Sequence, residues 1–382
     1  MATLFDYCTW RGDLDFAQVP FGDLDALALS AVCYLDPGDA GRTDEGLTLA
    51  DMAAHVPLAP QYNKSYEKNR VLLLRALAET ARFREARISR FVNIVDAAHG
   101  IQFSAMCCDL DGVGQVICYR GTDATLVGWR ENFAMAYECP VPAQRAAVFY
   151  LEAASKDWTG PLLLLGHSKG GNLAMHAASE VPPLLQRRIR TIWSFDGPGL
   201  DEASQESLDW LRVRDRVRSF IPQSSVIGLL LGYHPLYTIV RSDGAGLGQH
   251  DVFTWQIAPP AGFETMTETT FSAQVFDRTL HEWLHTATPA QRRTFVDAVF
   301  DVMASTGAST TAEMKANLIT KLPQMVQAAG DIDPAARTML LRLAARFVTL
   351  TTVNAVDLGT GGRITQAAGS VLRMLQGAPK EE

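Results

Sequence analysis

The stretch PLLLLGHSKGGNLAMHAASE, residues 161–180, decides the fold class. Leu162–Leu165 form a short all-apolar run, and GNLAMHAASE (171–180) carries a helical pattern. A strand that is apolar on both sides and sits between helices belongs to a parallel sheet covered on both faces, so the expected fold is α/β. Between the two lies Gly166-His167-Ser168-Lys169-Gly170. A pattern G-x-S-x-G alone arises by chance in roughly one chain of this length in ten. At a strand-to-helix junction it carries more information. A sharp turn that holds Ser168 out from the sheet edge needs small residues two positions away on either side, and Gly166 and Gly170 supply them. Gly171 permits close helix–strand approach. The serine hydroxyl then lies at a helix N-terminus, where the Lys169 amide can face a developing oxyanion. The competing reading is an inert glycine-rich loop.

Working outward, the first ninety residues read as helical. FGDLDALALSAVCYL (21–35) has Asp23 as N-cap with Leu24, Leu27, Ala28, Ala31 and Leu35 on one face, and residues 65–83 form a second pattern. SRFVNIVD (89–96) and IQFSAMCCDL (101–110) read as a hairpin at an antiparallel sheet edge, followed by the strand QVICYRGT. After residue 140 strands and helices alternate, with RTIWSF, RVRSFIP and YTIVRS as further strands. Strand signals then fade. TPAQRRTFVDAVFDVM, with Thr288 as cap and Pro289 at the first helical position, and DPAARTMLLRLAARFVTL, opening on Asp333 and Pro334, are helical. The expected division is a domain over 1–260 and a helical extension over 261–382, a surface on which an oligomer could form.

If Ser168 is a nucleophile it needs a second oxyanion donor, a base and an acid. Thr122, in the loop after the strand ending near residue 119, is the candidate second donor; an ordinary turn is the plain alternative. Leu126, Trp129, Phe133 and Tyr137 follow at helical spacing, and Trp129 and Phe133 are candidates for a lid or substrate pocket, or simply core. Of eight histidines, His167 is expected to point away from Ser168 and to pack. His250, in the glycine-rich loop SDGAGLGQHDVFTW, is the preferred base, with His234 as the alternative; Asp251 beside it reads as a cap. Asp196, opening the turn DGPGL, is the preferred acid and Asp243 the second choice.

The 382 residues include 42 acidic and 34 basic side chains, a net charge of −8, with 47% hydrophobic and 20% charged residues. That balance fits a globular chain and argues against nucleic acid as a partner. No basic segment followed by an apolar one opens the chain, and no apolar run spans a bilayer, so a cytoplasmic location is expected. The six cysteines form no C-x-x-C pair and lack histidines at ligand spacing, so no metal and no cofactor is expected.

CYRGTD, LLGHSKGGN and SFDGPGL, in that order, resemble the class 3 lipase branch of the α/β-hydrolases. The match is closer to a bacterial family of lipase-like α/β-hydrolases within that branch. It is similar in DYCTWRGDLDF, PFGDLDALALS, RGTDATLVGWRENFAM, GHSKGGNLA, DGPGL and QHDVFTW, over roughly residues 5–257. The resemblance implies an α/β-hydrolase fold with Ser168 as nucleophile, Thr122 and Lys169 as oxyanion donors and His250 as base. Two departures stand out. Class 3 lipases keep their acid after the strand that here reads RVRSFIPQSSVIG, where Gln223, Ser224 and Ser225 stand. Lys169 replaces an apolar residue, which suits either an anionic substrate or a pairing with a carboxylate such as Asp123 or Glu131. The function implied is hydrolysis of a small-molecule or lipid-like carboxylic ester through an acyl-enzyme. Thioesterase and peptidase activities use the same groups, and the alternative is a catalytically impaired fold serving as a binding or scaffold protein.

Overall fold

Leu162, Leu164 and Leu165 are fully buried because their strand has a neighbour on each edge and helices on each face. The computed structural model describes residues 2–58, 65–123, 125–231 and 237–304. The chain forms two compact units, one of residues 1–122 and 142–269, the other of residues 123–141 and those from 270 onward.

In the first unit the strands are β1 (Leu47–Thr48), β2 (Arg87–Asp96), β3 (Ile101–Leu110), β4 (Gly114–Tyr119), β5 (Leu162–His167), β6 (Ile189–Phe195), β7 (Val217–Pro222), β8 (Tyr237–Val240), the ribbon β9 (Ile257–Ala258) and β10 (Gly262–Phe263), and β11 (Thr265–Met266). Among the described residues, nine form one sheet in the order β1-β2-β3-β4-β5-β6-β7-β8-β11. β4 to β8 run parallel; β1 to β3 on one side and β11 on the other are antiparallel. The fold is therefore α/β with a mixed sheet and a parallel centre. The expected hairpin is β2–β3, although the two-residue β1 lies outside it and takes the edge.

Parallel strands added one after another in a single direction put their crossover helices on one face. That face carries α6 (Pro142–Ala154) and α7 (Lys169–Glu180), with the short α8 (Pro183–Gln186), α9 (Glu202–Glu206) and α10 (Leu208–Leu211) following them in the chain. The opposite face is closed by α1 (Leu4–Arg11), α2 (Asp23–Val32), α3 (Leu49–His55) and α4 (Ser65–Ala78). The strands divide residue by residue between the two cores: Val116, Cys118, Leu163 and Leu165 face the N-terminal helices, and Ile117, Tyr119, Leu162 and Leu164 face α6 and α7.

Helix α2 starts one position away from the expectation: Gly22 is the N-cap and Asp23 the first helical residue. The Asp23 carboxylate is drawn to long-range partners, accepting from Trp193 Nε1 (2.8 Å) and from Arg218 Nε (2.5 Å) and Nη2 (2.6 Å). Asp25 accepts from the Gly22 amide, and it also anchors the N-terminal layer. Its buried carboxylate takes Arg82 at 2.6 and 2.7 Å and the Tyr7 hydroxyl at 2.5 Å. Arg82 further donates to the carbonyls of Leu14, Asp15, Val19 and Pro20 and stacks over Phe16. Asp25→Ala leaves that guanidinium buried without its counter-charge, and urea unfolding is expected to read a loss of about 3–5 kcal/mol.

On α7, burial pushes the His176 imidazole down to about 4. Above pH 6.5 the ring is neutral folded and unfolded. Below it the unfolded chain binds a proton that the folded one does not, so stability falls with pH down to about pH 4 and the loss then levels off. The span corresponds to about 3 kcal/mol. Melting curves between pH 7 and 4 are expected to flatten in His176→Leu relative to wild type.

The second unit contains α5 (Leu126–Ala134), α11 (Phe271–Thr286) and α12 (Pro289–Ala304). As expected, Pro289 opens α12, and Thr288 Oγ1 accepts from the Gln291 amide at 3.3 Å. Arg130 on α5 pairs with Asp297 on α12 at 2.7 Å, and the Phe133 ring meets Phe300 at 5.7 Å. Residues 123–141 thus join the C-terminal helices, and the division is not a single cut at residue 260. Pairing across some 165 residues leaves no local trace in sequence. The helical pattern opening at Asp333 lies outside the described residues. No helix among the described residues is long and apolar enough to cross a membrane.

Candidate active site

Ser168 stands between β5 and α7 with φ 59° and ψ −135°, a conformation that costs a non-glycine residue about 1–3 kcal/mol. The surroundings hold it there. The Ser168 amide donates to the Phe195 carbonyl and its own carbonyl accepts from the Gly171 amide, both at 2.9 Å. A Cβ on Gly166 would overlap the Gly170 carbonyl, and one on Gly170 would overlap the Tyr119 carbonyl. Both glycines are therefore required by close approach, as the spacing suggested. Ser168 is 7% exposed at the carboxyl end of a central parallel strand, where open α/β sheets present their sites.

Asp196 follows β6 and is also in the left-handed region, φ 47°. Its carboxylate is 1% exposed and surrounded by donors: Oδ2 accepts from His250 Nδ1 at 2.6 Å, and Oδ1 accepts from the Ser225 hydroxyl and the Gly228 amide (3.1 Å). A carboxylate acceptor at Nδ1 puts the proton there and leaves Nε2 as the basic nitrogen. His250, 26% exposed, ends the short turn Gly246–His250. That turn is braced on both sides: Gln249 accepts from the Ser224 amide through its side chain (2.9 Å) and from Trp255 Nε1 through its carbonyl (2.8 Å). Asp251 caps the next turn by accepting from the Phe253 amide, and its burial pushes its carboxyl up. Asp243, the second choice of acid, accepts from Gln256 Nε2 instead. His234 lies outside the described residues.

The loop after β4 abuts the serine turn. A Cβ on Gly121 would stand 2.6 Å from the His167 carbonyl oxygen and 2.8 Å from Ser168 Cβ, which puts Thr122 next in chain to the point of contact. Lys169 is the first residue of α7, whose first-turn amides point back along the axis toward its start. Its side chain is 1% exposed, with the ammonium donating to the Gln102 carbonyl at 2.6 Å. Trp129 and Phe133 are on α5 in the second unit, where Phe133 is 46% exposed.

Residues that sequence reasoning passed over complete the arrangement. Ser225 occupies the segment where an aspartate had been expected and donates to the aspartate one strand earlier. Gln223 ties the same segment to Ser242 through two hydrogen bonds (2.7 and 2.8 Å). His167 packs, as anticipated, but against the His250 ring and with both nitrogens engaged. Replacement of an expected acid by hydroxyl and amide residues was the one sequence signal for Ser225. Among the described residues no group of three or more His, Cys, Asp or Glu side chains could hold a metal ion.

Fold and site together define an α/β protein with a serine on a strained strand-to-helix turn and a separate aspartate–histidine pair at the same sheet edge. A family model described as Mbeg1-like matches residues 77–301, well over half of the chain and spanning Thr122, Ser168, Asp196 and His250; the chain belongs to this Mbeg1-like family. No curated protein matches it.

Proposed function

We propose that the protein is a serine hydrolase of the α/β-hydrolase fold, related to class 3 lipases and acting on carboxylic esters. The observation that carries this reading is the 2.6 Å contact between Asp196 and His250 Nδ1, formed beside a serine held at positive φ. In this reading His250 Nε2 takes the Ser168 proton as Oγ attacks the carbonyl carbon. The oxyanion is held by the amides of Thr122 and Lys169, and the Asp196 carboxylate stabilises the imidazolium that forms. The imidazolium then protonates the departing alcohol. Water, deprotonated by His250, releases the acid from the acyl-enzyme. The acid sits one strand earlier than in class 3 lipases, and Ser225 in the vacated segment orients it. The Lys169 ammonium, buried against Gln102, supports a packing role for that side chain rather than contact with substrate.

The test is chemical. A fluorophosphonate is expected to add once to the native protein, with the adduct mapped by mass spectrometry to Ser168. Folded protein that stays unlabelled sinks the hydrolase reading and leaves a binding or scaffold protein on the same fold.

A further inference from the structure

We infer that His167 is a positioning residue for the base: with Tyr34 it forms a hydrogen-bond relay that fixes the main chain of His250 while its ring supports the His250 imidazole. This rests on the hydrolase reading above. His167 Nε2 lies 2.8 Å from the His250 carbonyl oxygen, and Nδ1 lies 3.0 Å from the Tyr34 hydroxyl. A carbonyl only accepts, so Nε2 carries the proton and Nδ1 is bare. Nδ1 must then accept, and the Tyr34 hydroxyl donates to it. The relay runs in one direction, Tyr34 O–H to His167 Nδ1 and His167 Nε2–H to His250 O=C, and each group has one role.

Burial keeps both members in the protonation state the relay needs. It lowers the His167 imidazole well below its ordinary value and raises the Tyr34 phenol, so the first stays neutral and the second keeps its proton. The Arg70 guanidinium stacks 3.6 Å over the Tyr34 ring and fixes its plane. The His167 and His250 rings are 4.4 Å apart at 34°. When His250 becomes an imidazolium, a neutral ring lies against it; a second protonated histidine there would repel it. Because His167 directly precedes Ser168, one dipeptide carries both the nucleophile and the clamp on its base. The distance between them is thus set by a single turn of backbone rather than by two independent loops.

The measurement is saturable fluorophosphonate labelling, which separates the limiting rate kinact from the inhibitor affinity KI and needs no known substrate. His167→Phe keeps a ring for stacking but makes neither hydrogen bond. It is expected to lower kinact about tenfold with KI unchanged, the effect of one lost orienting hydrogen bond. His167→Gln, which retains a donor toward the His250 carbonyl, is expected to recover most of that rate. Tyr34→Phe is expected to lower kinact in wild type and to add nothing in His167→Phe, because the relay is already broken there. A purely structural role would instead give additive losses that track melting temperature. Wild type that labels, with His167→Phe labelling equally fast, overturns the relay alone. Wild type that does not label overturns the hydrolase reading and the relay with it.

Discussion

Ser168→Ala is expected to abolish fluorophosphonate labelling and to lower hydrolysis of a p-nitrophenyl ester by about a millionfold, the scale seen when an acyl-transfer nucleophile is removed. The same change is expected to leave stability within about 1 kcal/mol. Alanine retains the Cβ, so the strain at φ 59° is unchanged, and the Ser168 side chain makes no cap hydrogen bond to α7. The backbone contacts that hold the turn, from the Ser168 amide to Phe195 and from the Gly171 amide to Ser168, do not involve the side chain. Lost labelling with an unshifted melting curve therefore isolates the hydroxyl. Labelling that persists in Ser168→Ala would move the reactive group elsewhere and end the assignment.

Asp196→Asn is expected to reduce kcat about 10⁴-fold with little change in KM. Asparagine can still accept from Ser225 and Gly228 through its carbonyl oxygen, so the buried turn keeps those contacts. Its amide then faces His250 Nδ1 and donates, which forces the imidazole proton onto Nε2 and removes the base. The geometry survives and the tautomer is wrong. Asp243→Asn serves as the comparison: its carboxylate meets Gln256, and its kcat is expected to stay within about threefold of wild type, the scatter of a change outside the site. A larger loss in Asp243→Asn than in Asp196→Asn, read from parallel kinetics, would reverse the assignment of the acid.

The readable and unreadable parts of the site divide along one physical line. The Ser168 turn was legible because strand, turn and helix are consecutive and Gly166 is required by a contact with Gly170 four residues on, although Gly170 itself is required by the Tyr119 carbonyl on β4. His250 was legible as a late loop histidine, although nothing local separated it from His234. The acid was not settled, since Asp196 and Asp243 both follow strands and differ only in which partner reaches them across 54 and 13 residues. Ser225 was marked only by standing where an acid was expected, and His167 had no signal beyond packing. Each acts through a group on another strand or loop, and a serine or a histidine in isolation reads as packing.

The fold divides in the same way. The all-apolar run of β5 between helical patterns made the α/β class evident, because a strand's environment on both faces is written into its own residues. The edge position of β1, the cap of α2 and the union of α5 with α12 were not. Asp23 left its cap for Trp193 and Arg218, and Arg130 found Asp297, through contacts about 170 to 195 residues apart. By itself the sequence determined the sheet's parallel centre and the strained serine turn with its small flanking residues, because the apolar run and the G-x-S-x-G spacing are written into one strand–turn–helix segment. Only the tertiary structure decided which aspartate meets His250, what Ser225 and His167 touch, and where residues 123–141 belong. Hydrogen bonds and ion pairs depend on distance in space, and for these residues chain order carries no measure of it.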